Sequence, residues 1–341
     1  MLNIKTKFKL VILDNLIWVL FFILFIINAI FIPNFFSYNN ILNIFYHVSV
    51  LGLLVLAEGL IIMVGQIDLS IESILALSPG VVILVANNLL PGTNSFILII
   101  MTLIIGMIIG MVNGILITKL NMNSLLETLS ANIVIRGLVL FLIPFSLINL
   151  DPNYIYAGSA RIVFNMPVAI LIFLGTFFIF GIIVHKTSFG RFLVSTGGNP
   201  RASYIAGVNI DKITIFTFVL GGLISALAGI LAVGRMGAVT NSMGTGLSIM
   251  AIAGAILGGV NLSGGRGTVL GMLGGALLLS LFDNFLNLLA VNVYLINITK
   301  GLLILFAIVL DSIKTKLRVY ILYKEKVSQM EKSEIFVKEG V

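Results

Sequence analysis

The sequence predicts an all-α polytopic membrane protein of about ten transmembrane helices, some broken or re-entrant, with both termini cytoplasmic. Three observations predict it. Of the 341 residues, 59% are hydrophobic and only 10% charged, whereas an ordinary soluble domain carries about 25% charged residues. The mean hydropathy is +1.18, and apolar surface in that excess must face lipid. Finally, Lys and Arg concentrate in alternate connecting segments, the bias that orients membrane proteins.

Apolar runs bounded by turn or charged residues place the spans at 15–32, 47–65, 74–90, 95–118, 124–143, 165–185, 212–235, 248–263, 268–286 and 295–311. Lys5, Lys7 and Lys9 precede the first run. That run is long for a secretory h-region and lacks a small-x-small cleavage site, so it reads as a retained span. With the N-terminus inside, the segments 1–14, 66–73, 119–123, 186–211, 264–267 and 312–341 face the cytoplasm. They carry fifteen of the twenty Lys/Arg residues, and the outside loops hold only Arg161. The net charge of +7 therefore sits beside the bilayer and marks a lipid surface, not a nucleic-acid partner.

Several chemistries are excluded. With no cysteine, a disulfide, a thiolate metal site and a cysteine nucleophile are impossible. His47 and His185 are far apart in sequence, which gives a metal site little support. No G-x-S-x-G, H-E-x-x-H or G-x-x-x-x-G-K-[ST] motif occurs, so no catalytic residue is assigned and any ATPase must be another chain.

The longest inside connection, 186–211, contains Gly197-Gly198-Asn199-Pro200-Arg201-Ala202-Ser203-Tyr204-Ile205-Ala206-Gly207. Asn199 suits an N-cap, Pro200 the first helical position and Gly207 a left-handed terminator, so a short capped cytoplasmic helix of about two turns is expected. Asp211 is expected to cap the next span.

Ionisable groups inside a span cost about 2.5–3.5 kcal/mol each on insertion scales and usually face protein or a water-filled path. The candidates are Glu58, Asp68, Glu72, Glu127, Arg136, Arg235, Asp283 and Lys300. Glu58 lies well inside the second span. If the break after it is helical, Asp68 and Glu72 share a face, where like charges repel. Arg136 and Glu127 are nine residues apart, too far for a direct pair on one helix. Arg136, Arg235 and Lys300 suit snorkelling or interhelical pairing. Asn113, Ser130 and Asn132 suit interhelical hydrogen bonding, and Asp283, Asn284 and Asn287 form a polar stripe. One internal echo, Gly65-Gln66-Ile67-Asp68-Leu69-Ser70 against Gly258-Gly259-Val260-Asn261-Leu262-Ser263, is what a duplicated transporter half would leave at paired helix breaks.

Taken together, these segments resemble the membrane permeases of bacterial ABC importers for monosaccharides, the ribose, xylose, arabinose and galactoside branch. The likeness rests on Gly65–Ser70, Asn113-Gly114, Thr128-Leu129, Arg136-Gly137, Gly190-Arg191, Gly197-Gly198-Asn199, Gly207-Val208-Asn209, Gly244-Thr245-Gly246, Leu257-Gly258-Gly259 and Ser263-Gly264-Gly265-Arg266-Gly267, over roughly 45–311. Gln66 and Glu72 depart from the pattern, both standing where the family has glycine. Glu127 and Ser130 stand where it has small residues.

The resemblance implies a multi-pass permease of the bacterial cytoplasmic (inner) membrane. It pairs with a second permease chain as a homo- or heterodimer, binds two ABC ATPase subunits or domains and receives sugar from an external solute-binding protein. It implies no cofactor in this chain, ATP and Mg belonging to the partner ATPase. Residues 1–311 are then the transmembrane permease domain, with a cytoplasmic coupling segment at 186–211, and 312–341 a charged cytoplasmic tail. Gly197, Gly198, Asn199, Pro200, Arg201, Tyr204 and Gly207 are the candidate ATPase-coupling residues. Glu58, Asp68, Ser70, Glu72, Asn113, Asn261, Ser263 and Asp283 are the candidate pathway or gate residues. A branched-chain amino-acid permease of the same architecture, a proton-coupled secondary transporter using Glu58, Asp68 or Glu72, and a non-transporting scaffold remain alternatives.

Overall fold

The computed structural model describes residues 13, 15–148, 151–162 and 166–338; Lys5, Lys7 and Lys9 lie outside the described residues. Thirteen helices and one two-stranded hairpin occur among them: α1 Leu16–Phe31, α2 Tyr38–Met63, α3 Ile71–Asn88, α4 Ser95–Lys119, α5 Ser124–Leu142, α6 Pro152–Ser159, β1 Arg161–Ile162, β2 Met166–Pro167, α7 Val168–Lys186, α8 Ser188–Gly198, α9 Pro200–Ile205, α10 Ile210–Met236, α11 Leu247–Leu257, α12 Val269–Leu288 and α13 Val293–Lys338. Eight of them (α2, α3, α4, α5, α7, α10, α12 and α13) are long and apolar enough to cross a membrane, while α1 and α11 are shorter apolar helices. The protein is thus all-α and polytopic, and each expected apolar run corresponds to one apolar helix.

The boundaries differ where polar residues disguise a helix. α2 begins at Tyr38, nine residues before the apolar run, because Ser37 accepts a hydrogen bond from the Asn40 N–H at 3.4 Å and starts the helix among asparagines. α11 ends at Leu257 because Gly259 (φ +87°) turns the chain left-handed. The helices α6 and α8 and strand β1 occupy stretches that sequence periodicity left as loops, and β2 takes the first residues of the expected run 165–185. Asp151 caps α6, accepting from the Asn153 N–H and the Ser95 hydroxyl, both at 2.7 Å. Those bonds, the Ser95 one foremost, hold its carboxyl below the usual carboxylate range. α13 continues as one helix past residue 311.

α2 is the hub. Its residues from Leu51 to Met63 are all buried, and it packs against α10, α11, α12 and α7. α4 and α10 meet backbone to backbone: a Cβ on Gly106 or Gly222 would collide with the other's carbonyl oxygen, and one on Gly110 with the Phe218 carbonyl oxygen. Small residues permit this approach where no aqueous hydrophobic drive exists between helices. The spacing Gly106-x3-Gly110-x3-Gly114 is its sequence signature. Large exposed apolar side chains on α4, α5 and α7, such as Ile108, Phe141 and Phe178, face outward, as lipid contact requires.

Candidate translocation and coupling site

The chain breaks between α2 and α3. Gly65 (φ +86°) ends α2, and the Gln66 N–H donates back to the Ile61 carbonyl at 3.1 Å. Buried backbone groups must find partners, and here side chains supply them in sequence. The Ile67 N–H donates to Ser124 Oγ (3.3 Å), the Asp68 N–H to Glu58 Oε1 (3.2 Å), the Leu69 N–H to Thr128 Oγ1 (3.1 Å) and the Ser70 N–H to Asp68 Oδ1 (2.7 Å). The Ser70 hydroxyl also donates to Asp68 Oδ1 (2.6 Å) and accepts from Asn113 Nδ2 (2.9 Å). Glu58, Asp68, Ser70 and Asn113, singled out separately in the sequence, therefore form one buried network. Glu58 Oε2 and Asp68 Oδ2 have no hydrogen-bond partner, and among the described residues no cation pairs with either.

Glu72 belongs to a second node. Its Oε2 accepts from the Ser248 N–H (3.1 Å) in the first turn of α11, while its own N–H donates to Ser248 Oγ (3.3 Å). Arg136 reaches across from α5, with Nη2 3.7 Å from Glu72 Oε1 and Nη1 donating to the carbonyls of Met243 (2.9 Å) and Asn241 (3.2 Å). The expected clash of Asp68 with Glu72 does not arise, because the break is not helical and Glu72 has a cation of its own. Glu127 is buried, with Oε2 unpartnered. Asp283 lies elsewhere, on α12, where Oδ2 is 3.1 Å from Lys300 Nζ and 3.6 Å from His47 Nε2. Sequence reasoning did not assign His47 that partner.

The second break, between α11 and α12, repeats the first in part. Gly259 takes φ +87°, and the Val260 N–H donates to the Ala255 carbonyl at 3.0 Å. Asn261 Oδ1 accepts from the Ser263 N–H at 2.9 Å, as Asp68 does from Ser70. The turn glycine stands two residues before Asn261 but three before Asp68, so the echo is geometric with one residue of offset. Asn261 is half-buried and Ser263 exposed, apart from the Glu58–Asp68 network.

The connection 186–211 carries the capped helix the sequence expects. Asn199 Oδ1 accepts from the Ala202 N–H at 3.0 Å, Pro200 opens α9, and Gly207 (φ +85°) closes it as the Val208 N–H donates to the Ser203 carbonyl at 3.0 Å. Tyr204 and Ile205 are 73% and 78% exposed, and Arg201 is exposed beside them. Asp211 does not cap α10. Asn209 does, accepting from the Lys212 N–H at 3.0 Å because it holds the extended cap position, and Asp211 pairs with Lys119 from the first turn.

A junction that sequence reasoning missed joins this segment to both breaks. A Cβ on Gly197 would collide with the Met63 carbonyl oxygen and lie 2.6 Å from the Gly265 nitrogen. The Gly265 N–H donates to that same Met63 carbonyl at 2.9 Å. A Cβ on Gly264 would lie 2.9 Å from both Gly65 Cα and Gly197 O. The end of α8 thus rests on the end of α2 and on the loop before α12, with backbone touching backbone. The signal was present as glycines in three separate segments. Among the described residues no cluster of three His, Cys, Asp or Glu is placed to hold a metal.

Residues 40–308 match the family described as Branched-chain amino acid transport system / permease component. Ribose import permease protein RbsC of Bacillus subtilis is 38% identical over 296 residues, 86% of this chain and 91% of that protein. L-arabinose transport system permease protein AraH of Escherichia coli is 33% identical over 298 residues, 87% of this chain and 90% of that protein. Ribose import permease protein RbsC of Escherichia coli is 32% identical over 287 residues, 83% of this chain and 88% of that protein. No solved structure matches. Both breaks, the capped helix between them and the glycine junction all fall inside the matched residues, and the chain belongs to this family of transport-system permease components.

Proposed function

We propose that the chain is the permease subunit of an ATP-driven ABC importer that moves a small sugar across the bacterial inner membrane, with ATP hydrolysis, ATP and Mg on a separate ATPase chain. The observation that carries the reading is the exposed, doubly capped helix α9 standing on the glycine junction. A rigid knob with Arg201, Tyr204 and Ile205 outward is a docking element, and a plain turn between spans needs none of its caps. The relatives supply the cargo class, since those named above are ribose and L-arabinose permeases. A second permease chain, two ATPase subunits and an external binding protein complete the assembly. Ten membrane crossings, with 186–211 and the 312–341 tail cytoplasmic, agree with the Lys/Arg distribution. Glu58, Asp68, Ser70, Glu72 and Asn113 hold the break beside the path, Asn261 and Ser263 shape its counterpart, and Asp283 lies toward the outer end.

The family description favours one second reading, a branched-chain amino-acid permease. Purification of the chain from its native membrane in mild detergent tests the first. A stoichiometric ATPase subunit should accompany it, and vesicles holding the complex should take up ribose or arabinose but not leucine when ATP is supplied. A chain that purifies alone and accumulates solute under a proton gradient would overturn the importer reading. Uptake of leucine in place of sugar would establish the alternative.

A further inference from the structure

Two cavities share a wall in the half of the bundle that the proposed topology turns outward. One, of about 300 Å³, lies between α2 and α12. The other, of about 440 Å³, lies among α2, α3, α10 and the link that leads into α11. His47 and Arg235 line both. His47 is nine residues into α2, ~14 Å below its start at 1.5 Å per residue.

The first cavity is small for a ligand pocket, at the lower end of the ~300–1,000 Å³ such sites span. It is lined with amides. Asn40 and Asn284 exchange hydrogen bonds at 2.7 and 3.4 Å, and Asn287 spends one N–H on the Asp283 carbonyl at 2.7 Å. Asn43 and Asn287 are exposed at the mouth. A primary amide presents both donor and acceptor, as an alcohol does, so a cluster of amides matches a molecule whose surface is hydroxyl.

The charges point the same way. Lys300 Nζ, 3.1 Å from Asp283 Oδ2, matches its charge, and His47 Nε2 lies 3.6 Å from the same oxygen. Asp283 Oδ1 is buried with no hydrogen-bond partner, an acceptor kept without a protein donor. The Arg235 guanidinium lies over the Tyr46 ring, 5.4 Å from its centroid, with no carboxylate within ion-pair reach among the described residues. A fork of donors and a lone acceptor in the lining of one amide-rich space suit adjacent hydroxyls better than a single charge.

We propose that this cavity is a solute-receiving site for a neutral, polyhydroxylated molecule of monosaccharide size. Asn43, Asn284 and Asn287 contact its hydroxyls, Asp283 and Arg235 reach it from the lining, and His47 with Arg235 separates it from the neighbouring cavity. The proposal rests on the importer reading and adds to it a place where this chain itself holds the cargo.

The natural absence of cysteine makes the test direct. Asn43→Cys and Asn287→Cys are each placed in the full transporter, reconstituted with its ATPase, and exposed on the outside to a membrane-impermeant maleimide. Both should label, and a transported neutral sugar, ribose or arabinose, should slow labelling at least fivefold while leucine does not. Uptake of that sugar by the variants without any protection would overturn the site and leave the importer standing. Failure of both positions to label from outside would do the same, and stronger protection by the corresponding sugar acid would overturn the neutral-solute assignment. If the unmodified transporter moves leucine and neither sugar, the sugar-importer reading fails and the site falls with it.

Discussion

Replacing Gly197 by alanine tests the junction at the base of α9 with one methyl group. Gly197 lies in the last turn of α8, where Gly→Ala in isolation would favour the helix by ~1 kcal/mol. Against that, the new Cβ has no room, with the Met63 carbonyl oxygen in its path and the Gly265 nitrogen 2.6 Å away. Both obstacles are backbone, which cannot swing aside as a side chain would. Overpacking of this kind costs about 1–3 kcal/mol, and parting the segments also endangers the Gly265 N–H to Met63 O hydrogen bond of 2.9 Å, worth ~0.5–1.5 kcal/mol net. The clash outweighs the propensity gain, so the junction should weaken by about 1–3 kcal/mol, a shift of roughly 5–150-fold in its population. The neighbour is the control. A Cβ on Gly198 would meet only Gly265 Cα at 3.7 Å, an ordinary contact, so Gly198→Ala should be neutral. Both variants are assayed for thermal unfolding in detergent and for solute moved per ATP hydrolysed in vesicles. Gly197→Ala should unfold earlier and waste ATP while still retaining the ATPase, and Gly198→Ala should match the parent. Equal behaviour of the two variants would refute the reasoning, because close backbone obstructs a Cβ at Gly197 and not at Gly198.

Three further outcomes follow from the same geometry. Arg136→Met should destabilise by ~3–5 kcal/mol, since it strands the buried Glu72 carboxylate; adding Glu72→Gln should recover much of the loss in a double-mutant cycle of thermal stability, and strict additivity would count against the pair. Asn199→Ala removes the cap bond to the Ala202 N–H and should cost about 1 kcal/mol, read as weaker ATPase co-purification that Asn199→Asp restores. Glu58→Gln keeps an oxygen that can accept the Asp68 N–H, so expression and uptake should persist where Glu58→Ala fails; normal expression with uptake abolished would revive a proton site at Glu58.

Legibility in the sequence followed physical locality. Apolar runs and caps are local, so the apolar helices and the whole of α9, from Asn199 to Gly207, could be read directly, while the short α6 and α8 could not. Position in a span is also local, which flagged Glu58, Arg136, Asp283 and Lys300 as anomalies. Their partners are not local. Arg136 reaches Glu72 from 64 residues away, Glu72 reaches Ser248 across 176, and neither distance leaves a mark in periodicity. Asp211 was misread for a smaller reason. Both it and Asn209 can cap, and the backbone two residues earlier decides between them. The glycine junction was hidden because glycine has several uses, and only three segments brought together show that Gly197, Gly264 and Gly265 serve close approach.

The two breaks share a turn but not an anchorage, and this asymmetry bears on which one moves. The Asp68 break is fixed by side chains outside it: three successive N–H groups, of Ile67, Asp68 and Leu69, are held by Ser124, Glu58 and Thr128 on the helices packed around it, while the Ser70 N–H is held by Asp68 within the break. Shifting it would strand several buried donors at once, each at ~1–3 kcal/mol. The Asn261 break holds itself, through Asn261 to Ser263 and the Asn261 N–H to the Arg266 carbonyl at 3.0 Å. Among the described residues its hydrogen-bond tie to α2 is the one from Gly265 to Met63, and the rest of the contact is glycine backbone at Gly264 and Gly265 with the Met63 side chain over Gly267. Such a surface can slide without unmaking an internal network. Ser248 bonds the start of α11 to Glu72 and to the Leu69 carbonyl of the first break, so the freedom lies at the other end of α11, around Gly259–Gly265, and under the importer reading we propose, motion brought in through α9 would be taken up there.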